Sequence, residues 1–253
     1  MRQKQGDSMV KVAVLDTGIE SMHPAFAHAN IVFRDFCGKE IKPIDLHGHG
    51  THCAGVIHEI APQAHLLVGR IAERSGMLTY DCLWDGLRWC EMEEADFVCI
   101  CTGDRNRDQD VEKTIDKMVE KGTSVVVAVG NDGRMGGTGL FPSNMAAAIA
   151  VASLDENDLL LSFVNQPDNV ELFGVSGEAS RGPWTGGLYA ERGGTSVAAA
   201  RLVGWLANRL VRDGDRAFPE GPKEFLRKSG VRKKGTVAPY YVVKPQQFFS
   251  LNP

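Results

Sequence analysis

The residues VKVAVLDTG, numbered 10–18, decide the fold. Six largely apolar residues, three of them valine, lead to an aspartate, a threonine and a glycine. A short apolar run that ends at turn residues is typical of a strand buried on both faces, as in a parallel sheet. We therefore predict a central strand that ends at Asp16.

Further apolar runs of the same kind alternate with helical patterns along the chain. We predict strands at 64–71, 96–101, 124–129, 147–152, 159–164 and 170–175, and helices at 78–92, 111–121, 195–210 and 222–228. Strands that alternate with helices predict a three-layer α/β/α fold with a mostly parallel central sheet, here of about seven strands. We expect one domain over residues 1–253, in which 213–253 forms a peripheral C-terminal wrap.

Composition excludes several classes of function. The 253 residues carry a net charge of −4, with 43% hydrophobic residues and no basic face. Nucleic acid is therefore not an expected partner. A membrane is not expected either, because no run of 18 apolar residues occurs. The six cysteines and the polar start of the chain favour reduced thiols and a cytoplasmic location.

Four polar residues stand where an α/β sheet places its ligands, at predicted strand ends and helix starts. Asp16 ends the first strand, and Asn131 follows the valine run 125–129. Ser196 opens the helix after two glycines, and His49 precedes the apolar-periodic stretch 53–60. Together they supply a hydroxyl nucleophile, an imidazole base, a carboxylate and an amide donor, which are the groups that acyl transfer needs.

At these residues the sequence resembles the subtilase family of serine peptidases. VAVLDTGI (12–19) resembles the family's aspartate motif, and HGTHCAG (49–55) its histidine motif. VGNDG (129–133) is similar to the oxyanion segment, and GGTSVA (193–198) to the serine motif. The order along the chain is that of the family, and the resemblance covers about 10–210.

The resemblance implies a subtilisin-like fold and a serine endopeptidase. Ser196 would attack a peptide carbonyl, His49 would move the proton, Asp16 would orient the imidazole, and Asn131 would stabilise the oxyanion. No cofactor and no metal are expected, since the segment before Ala61-Pro62 is too short for the family's frequent calcium loop. No inhibitory prodomain is evident, so control would come from a regulatory partner or larger assembly, from the compartment, or from a segment lost ahead of this sequence.

The substrate is expected to be a protein or peptide that adds a strand to the cleft. We predict one edge at Thr102, Gly103 and Asp104, where the family usually has Ser-Leu-Gly-Gly, and a second edge at 159–164. The first pocket would be walled by Ala128, Val129 and Gly130 and by the segment 139–141. In that segment Leu140 would narrow the pocket and favour small or medium apolar residues at the cleaved position.

Three other interpretations compete with a serine peptidase. Asp-Thr-Gly also occurs in aspartic peptidases, but that mechanism would leave His49 and Ser196 unused. The cluster His47, His49, His52 and Cys53 suggests zinc, although its spacing differs from that of zinc sites. A catalytically silent pseudoprotease that binds peptides or scaffolds a complex is the third alternative. The tryptophans, Trp184 included, are expected to pack in the core.

Overall fold

The computed structural model describes residues 9–38, 42–133 and 139–249. Its strands are β1 Lys11–Asp16, β2 Ile31–Asp35, β3 His65–Arg70, β4 Phe97–Ile100, β5 Ser124–Ala128, β6 Ile149–Leu154, β7 Leu172–Ser176, β8 Ser180–Pro183, β9 Tyr189–Arg192, β10 Val231–Lys233 and β11 Tyr240–Val242. Its helices are α1 His49–Ile60, α2 Tyr80–Met92, α3 Gln109–Glu120, α4 Thr195–Asp213, α5 Pro222–Ser229 and α6 Gln246–Phe249.

Nine of these strands form one sheet in the order β10-β11-β7-β6-β5-β4-β1-β3-β2. All neighbours pair in parallel except β10, which is antiparallel to β11. The predicted fold class is confirmed, with nine strands rather than about seven. Six of the predicted strands belong to the sheet, and three strands were not predicted: β2 at one edge, and β10 and β11 at the other, which come from the segment predicted as a peripheral wrap. β8 and β9 form a separate antiparallel hairpin.

The sheet separates two layers of helices, and β1 shows how. Val12 and Val14 face the core that contains α1 and α4, whereas Ala13 and Leu15 face the core that contains α2 and α3. Because successive side chains point to opposite faces, a strand buried on both sides must be apolar throughout. This explains the uninterrupted apolar run that precedes Asp16.

One predicted strand, at 159–164, is wrong. The Asp155 carboxylate accepts hydrogen bonds from the backbone N–H groups of Asn157 and Leu159, at 2.9 and 2.8 Å, and so closes a turn. Leu160 then forms only an isolated bridge with Leu154, and the chain turns again before Val164. Side-chain hydrogen bonds of this kind compete with a β ladder, and here they prevent one.

Candidate active site

The site lies where the carboxyl ends of β5, β4 and β1 meet the first residues of α1 and α4. Asp16 ends β1 and is 1% exposed. Its carboxylate lies 2.8 and 3.0 Å from Nδ1 of His49, the first residue of α1. An imidazole held at Nδ1 presents Nε2 to the cleft, as a general base requires.

The charge of Asp16 sets the proton affinity of His49. Burial alone would lower the pKa of the imidazole, but the Asp16 carboxylate and its hydrogen bond outweigh that effect and raise the pKa above 6.5. The hydrogen bond with Cys101 and complete burial raise the pKa of the neighbouring Cys53 thiol well above its ordinary value. Cys53 is therefore a neutral neighbour of the pair.

Ser196 is the second residue of α4 and is 8% exposed. Its hydroxyl donates a hydrogen bond to the Cys101 carbonyl, at 3.3 Å. Within the described residues it makes no hydrogen bond with His49, a common state of catalytic groups without substrate. Gly194, at φ 100°, precedes this helix, and a Cβ there would lie 3.1 Å from the Asn131 amide nitrogen. Glycine therefore allows Asn131 to approach the nucleophile.

Asn131 contacts the first residue of α4 through its side chain. Its Oδ1 accepts a hydrogen bond from the Thr195 N–H, at 3.1 Å, which leaves the amide nitrogen as the group that can donate. The Thr195 hydroxyl accepts from the Gly130 N–H, at 3.2 Å, and holds the same segment. The arrangement suits an oxyanion site that pairs the Asn131 amide with the Ser196 N–H.

Leu140 lies between two glycines of the segments that were predicted to bind the substrate. One methyl carbon of Leu140 lies 2.6 Å from the position that a Cβ at Gly130 would occupy. The Cβ of Leu140 lies 3.4 Å from the corresponding position at Gly103. Leu140 therefore fills space between the segments that follow β4 and β5. Ala128 and Val129, the other predicted wall residues, are 5% and 0% exposed.

The predicted substrate edge at Thr102, Gly103 and Asp104 is shorter than expected. Asp104 forms an antiparallel bridge with Phe141, in which its N–H donates at 3.0 Å and its carbonyl accepts at 2.7 Å. The Asp104 backbone is thus occupied by the chain itself, which leaves Thr102 and Gly103 for a substrate. The second predicted edge, 159–164, offers no strand for pairing.

One cluster of residues has the spacing of metal ligands, within the part of the chain that the structure describes. Side-chain ligand atoms of Asp16, Cys53 and Cys101 lie within 4.8 Å of one another, and all three residues are buried. An ion held there would take the Asp16 carboxylate from His49. Such an ion would inhibit the pair rather than assist it.

The sequence prediction missed three neighbours of the site. Asp45 is 7% exposed and caps the start of α1, Cys101 accepts the Ser196 hydroxyl, and half-buried Trp184 lies against Gly48. Trp184 was expected to pack in the core. No pattern in the sequence marked any of these three residues.

Comparisons with known proteins decide the family. The subtilase family matches residues 7–215. The chain belongs to the subtilase family. It is a subtilisin-like serine endopeptidase, as the sequence predicted. Thermitase from Thermoactinomyces vulgaris is 30% identical over 222 residues, which cover 82% of this chain and 76% of thermitase. The chain spans 55% of the length of subtilisin E from Bacillus subtilis.

Solved structures agree with this fold. The protease domain of PatA, in a mutant form, superposes with a TM-score of 0.82 at 22% identity and covers 97% of both chains. The prenylagaramide maturation protease PagA superposes with a TM-score of 0.77 at 25% identity, over 92% of this chain and 87% of PagA. Among the described residues of this chain, no helix has the length and apolar character needed to cross a membrane.

Proposed function

We propose that the protein hydrolyses peptide bonds through an acyl-enzyme on Ser196. The observation that carries this proposal is the Asp16–His49 pair beside the first turn of α4, with Asn131 oriented by Thr195. Ser196 would rotate from the Cys101 carbonyl toward Nε2 of His49 and lose its proton as it attacks. His49 would then give that proton to the leaving amine, and water would hydrolyse the ester.

The oxyanion of each tetrahedral intermediate would be held by two donors. One is the Asn131 side-chain amide and the other the Ser196 backbone N–H at the start of α4, where the helix dipole favours negative charge. Neither donor needs to reorganise during the reaction, because the Asn131 amide is already oriented by Thr195 and Ser196 belongs to a helix. This preorganisation supports acyl transfer over mere peptide binding.

We further propose that the enzyme processes specific protein or peptide targets inside the cell. The narrow pocket around Leu140 and the occupied Asp104 backbone support a restricted choice of substrate. All six cysteines are free thiols, which supports a reducing compartment. One structural relative is named a maturation protease, and a processing role of that general kind fits these features.

A fluorophosphonate probe tests the chemistry directly. We expect the folded protein to become labelled at Ser196, and Ser196→Ala and His49→Ala to lose the label. Absence of label in correctly folded wild type would favour the pseudoprotease alternative. The targets would then be sought by mass spectrometry of the new chain termini that appear in cell extract with wild type and not with Ser196→Ala.

A further inference from the structure

A stacked pair of side chains, Arg192 on Trp184, lies beside the residues that precede His49. The guanidinium carbon of Arg192 lies 4.6 Å from the centre of the Trp184 ring. Trp184 itself covers Gly48, where a Cβ would lie 2.3 Å from the indole. The ring of His47 lies 6.2 Å from both the Trp184 ring and the His49 ring. The arginine is therefore held on a rigid support next to the start of α1.

The charge of Arg192 is not neutralised by any carboxylate of the described chain. Arg192 is exposed, and its hydrogen bond goes to the carbonyl of the adjacent Glu191, at 3.3 Å. A guanidinium stacked on an aromatic ring keeps its N–H edges available for a carboxylate, which it binds through two parallel hydrogen bonds. Stacking also restricts the side chain before binding, so less conformational entropy is lost when a ligand arrives.

We infer the side of the site on which Arg192 lies from the element that its hairpin contacts. Asp16 holds Nδ1 of His49, so Nε2 delivers the proton to the leaving amine, and the residues after the cleaved bond must pass His49. β8, the hairpin strand that leads to Trp184, packs against α1, the helix that begins with His49, and Arg192 is on the paired strand β9. The acyl half of the substrate, by contrast, would lie along Thr102 and Gly103, after β4.

We propose that Arg192, supported by Trp184, forms a subsite for an acidic side chain at one of the first two substrate residues after the cleaved bond. This inference rests on the proposed peptidase function and adds the chemistry of the substrate that the site selects. The ligand is a glutamate or aspartate carboxylate.

The hairpin offers a matched control in Arg181. Its guanidinium carbon lies 4.6 Å from the Tyr189 ring, the same stacking distance as in the Arg192–Trp184 pair. In the hairpin, Arg181 of β8 lies opposite Glu191 of β9, and Ser180 lies opposite Arg192. The two pairs are neighbours along the strands. Because side chains alternate along a strand, Arg181 points to the face opposite Arg192.

The test compares fluorogenic peptides that differ only by glutamate or glutamine at the first or second position after the cleaved bond. For wild type we expect kcat/KM to favour glutamate at one of these positions by about tenfold, as for a charge-assisted hydrogen bond. Arg192→Gln should bring that ratio close to one, and Arg192→Lys should leave an intermediate ratio because a lysine lacks the planar fork. Arg181→Gln should keep the wild-type ratio. Added salt should reduce the ratio in wild type.

Binding of the same peptides to inactive Ser196→Ala separates this inference from the proposed function. Fluorescence anisotropy measures this binding. The subsite would be overturned if the glutamate and glutamine peptides were cleaved equally and bound equally. It would also be overturned if Arg181→Gln lost the preference for glutamate to the same extent as Arg192→Gln. If the inactive variant binds the glutamate peptide more tightly and Arg192→Gln abolishes that difference, the subsite is supported. If wild type then cleaves neither peptide, the lack of cleavage contradicts only the peptidase function.

Discussion

A single carboxylate, that of Asp16, controls the behaviour of the whole site. It is buried at the end of β1 and accepts the Thr17 N–H at 2.7 Å as well as Nδ1 of His49. The Thr17 hydroxyl in turn accepts the Gly50 N–H, at 2.9 Å, which ties the start of α1 to the end of β1. The imidazole is thus fixed in position and in charge by residues of one strand end.

The raised pKa of His49 predicts an alkaline activity profile. Because Asp16 raises the pKa of His49 above 6.5 and only the neutral imidazole is a base, kcat/KM should rise with pH through an apparent pKa above 6.5.

Asp16→Asn should lower kcat by about 10⁴-fold, the loss known for the equivalent change in a serine protease triad. Both are measured with one peptide substrate over pH 5–11, with unfolding followed in parallel. A profile that is flat from pH 5 would contradict the role given to Asp16.

Leu140 predicts the size of the residue accepted at the cleaved bond. Wild type should prefer alanine or valine over phenylalanine there, because Leu140 occupies the space beside Gly130 and Gly103. Leu140→Gly should raise kcat/KM for phenylalanine relative to alanine by about tenfold or more. A peptide library measures this, with Leu159→Ala, a leucine 53% exposed, as the control. A wild-type preference for large aromatic or basic residues would refute the prediction.

At the scale of elements, burial decides what the sequence could reveal. Strands covered on both faces, such as β1 and β5, are apolar throughout and were found from their residues alone. β2 alternates between half-buried and exposed, and the β8–β9 hairpin contains glycine and proline, so neither gave an apolar run. The four predicted catalytic positions came from strand ends and family motifs. Trp184 and Cys101 did not, because tertiary packing alone brings them to the site.

The loop before α1 depends on Asp45, which we predict to be a positioning residue. Its carboxylate accepts the backbone N–H groups of His47, Gly48 and Thr51 and the Thr51 hydroxyl, at 2.7–2.9 Å. Asp45→Asn should lower the free energy of unfolding by about 1–3 kcal/mol, since donors are left without an anionic acceptor. It should also lower kcat more than it raises KM, because His49 begins the helix that this loop holds.

The matched control for Asp45→Asn is Asp108→Asn, which alters the cap of α3, a helix other than the one that begins with His49. The pH dependence of stability is a second readout. Burial alone would raise the pKa of Asp45, but the hydrogen bonds from Gly48, Thr51 and His47 lower it below 3.8. A lowered folded-state pKa gives stability that is present above pH 3.8 and is lost as pH falls through the folded value. The difference between wild type and Asp45→Asn should therefore be constant near neutral pH and shrink in acid. Equal effects of the two variants on kcat would contradict the positioning role.

At the scale of the molecule, the segment 231–249 belongs to the same core as α4, the helix that carries Ser196. β11 extends the sheet beside β7, and Tyr240 and Val242 are each 2% exposed. Phe248 of α6 is fully buried and lies 5.6 Å from the ring of Trp205 in α4, the helix that begins next to Ser196. The segment contributes packing on both the sheet and the helical layer, which its mixture of Pro, Lys and Gly did not indicate.

Two adjacent phenylalanines test whether this segment is integral to the fold. Phe248→Ala should lower the free energy of unfolding by about 3–5 kcal/mol, because it opens a cavity between Trp205 and Phe225, whose rings lie 5.6 and 5.5 Å from that of Phe248. Phe249→Ala removes a ring that is 41% exposed and should have a much smaller effect. Urea unfolding followed by circular dichroism measures both. If the segment merely covers the surface, the two variants will unfold at similar urea concentrations. If it completes the core that supports α4, Phe248→Ala will also inactivate the enzyme at a lower temperature than Phe249→Ala, because Ser196 loses its position when α4 loses its packing.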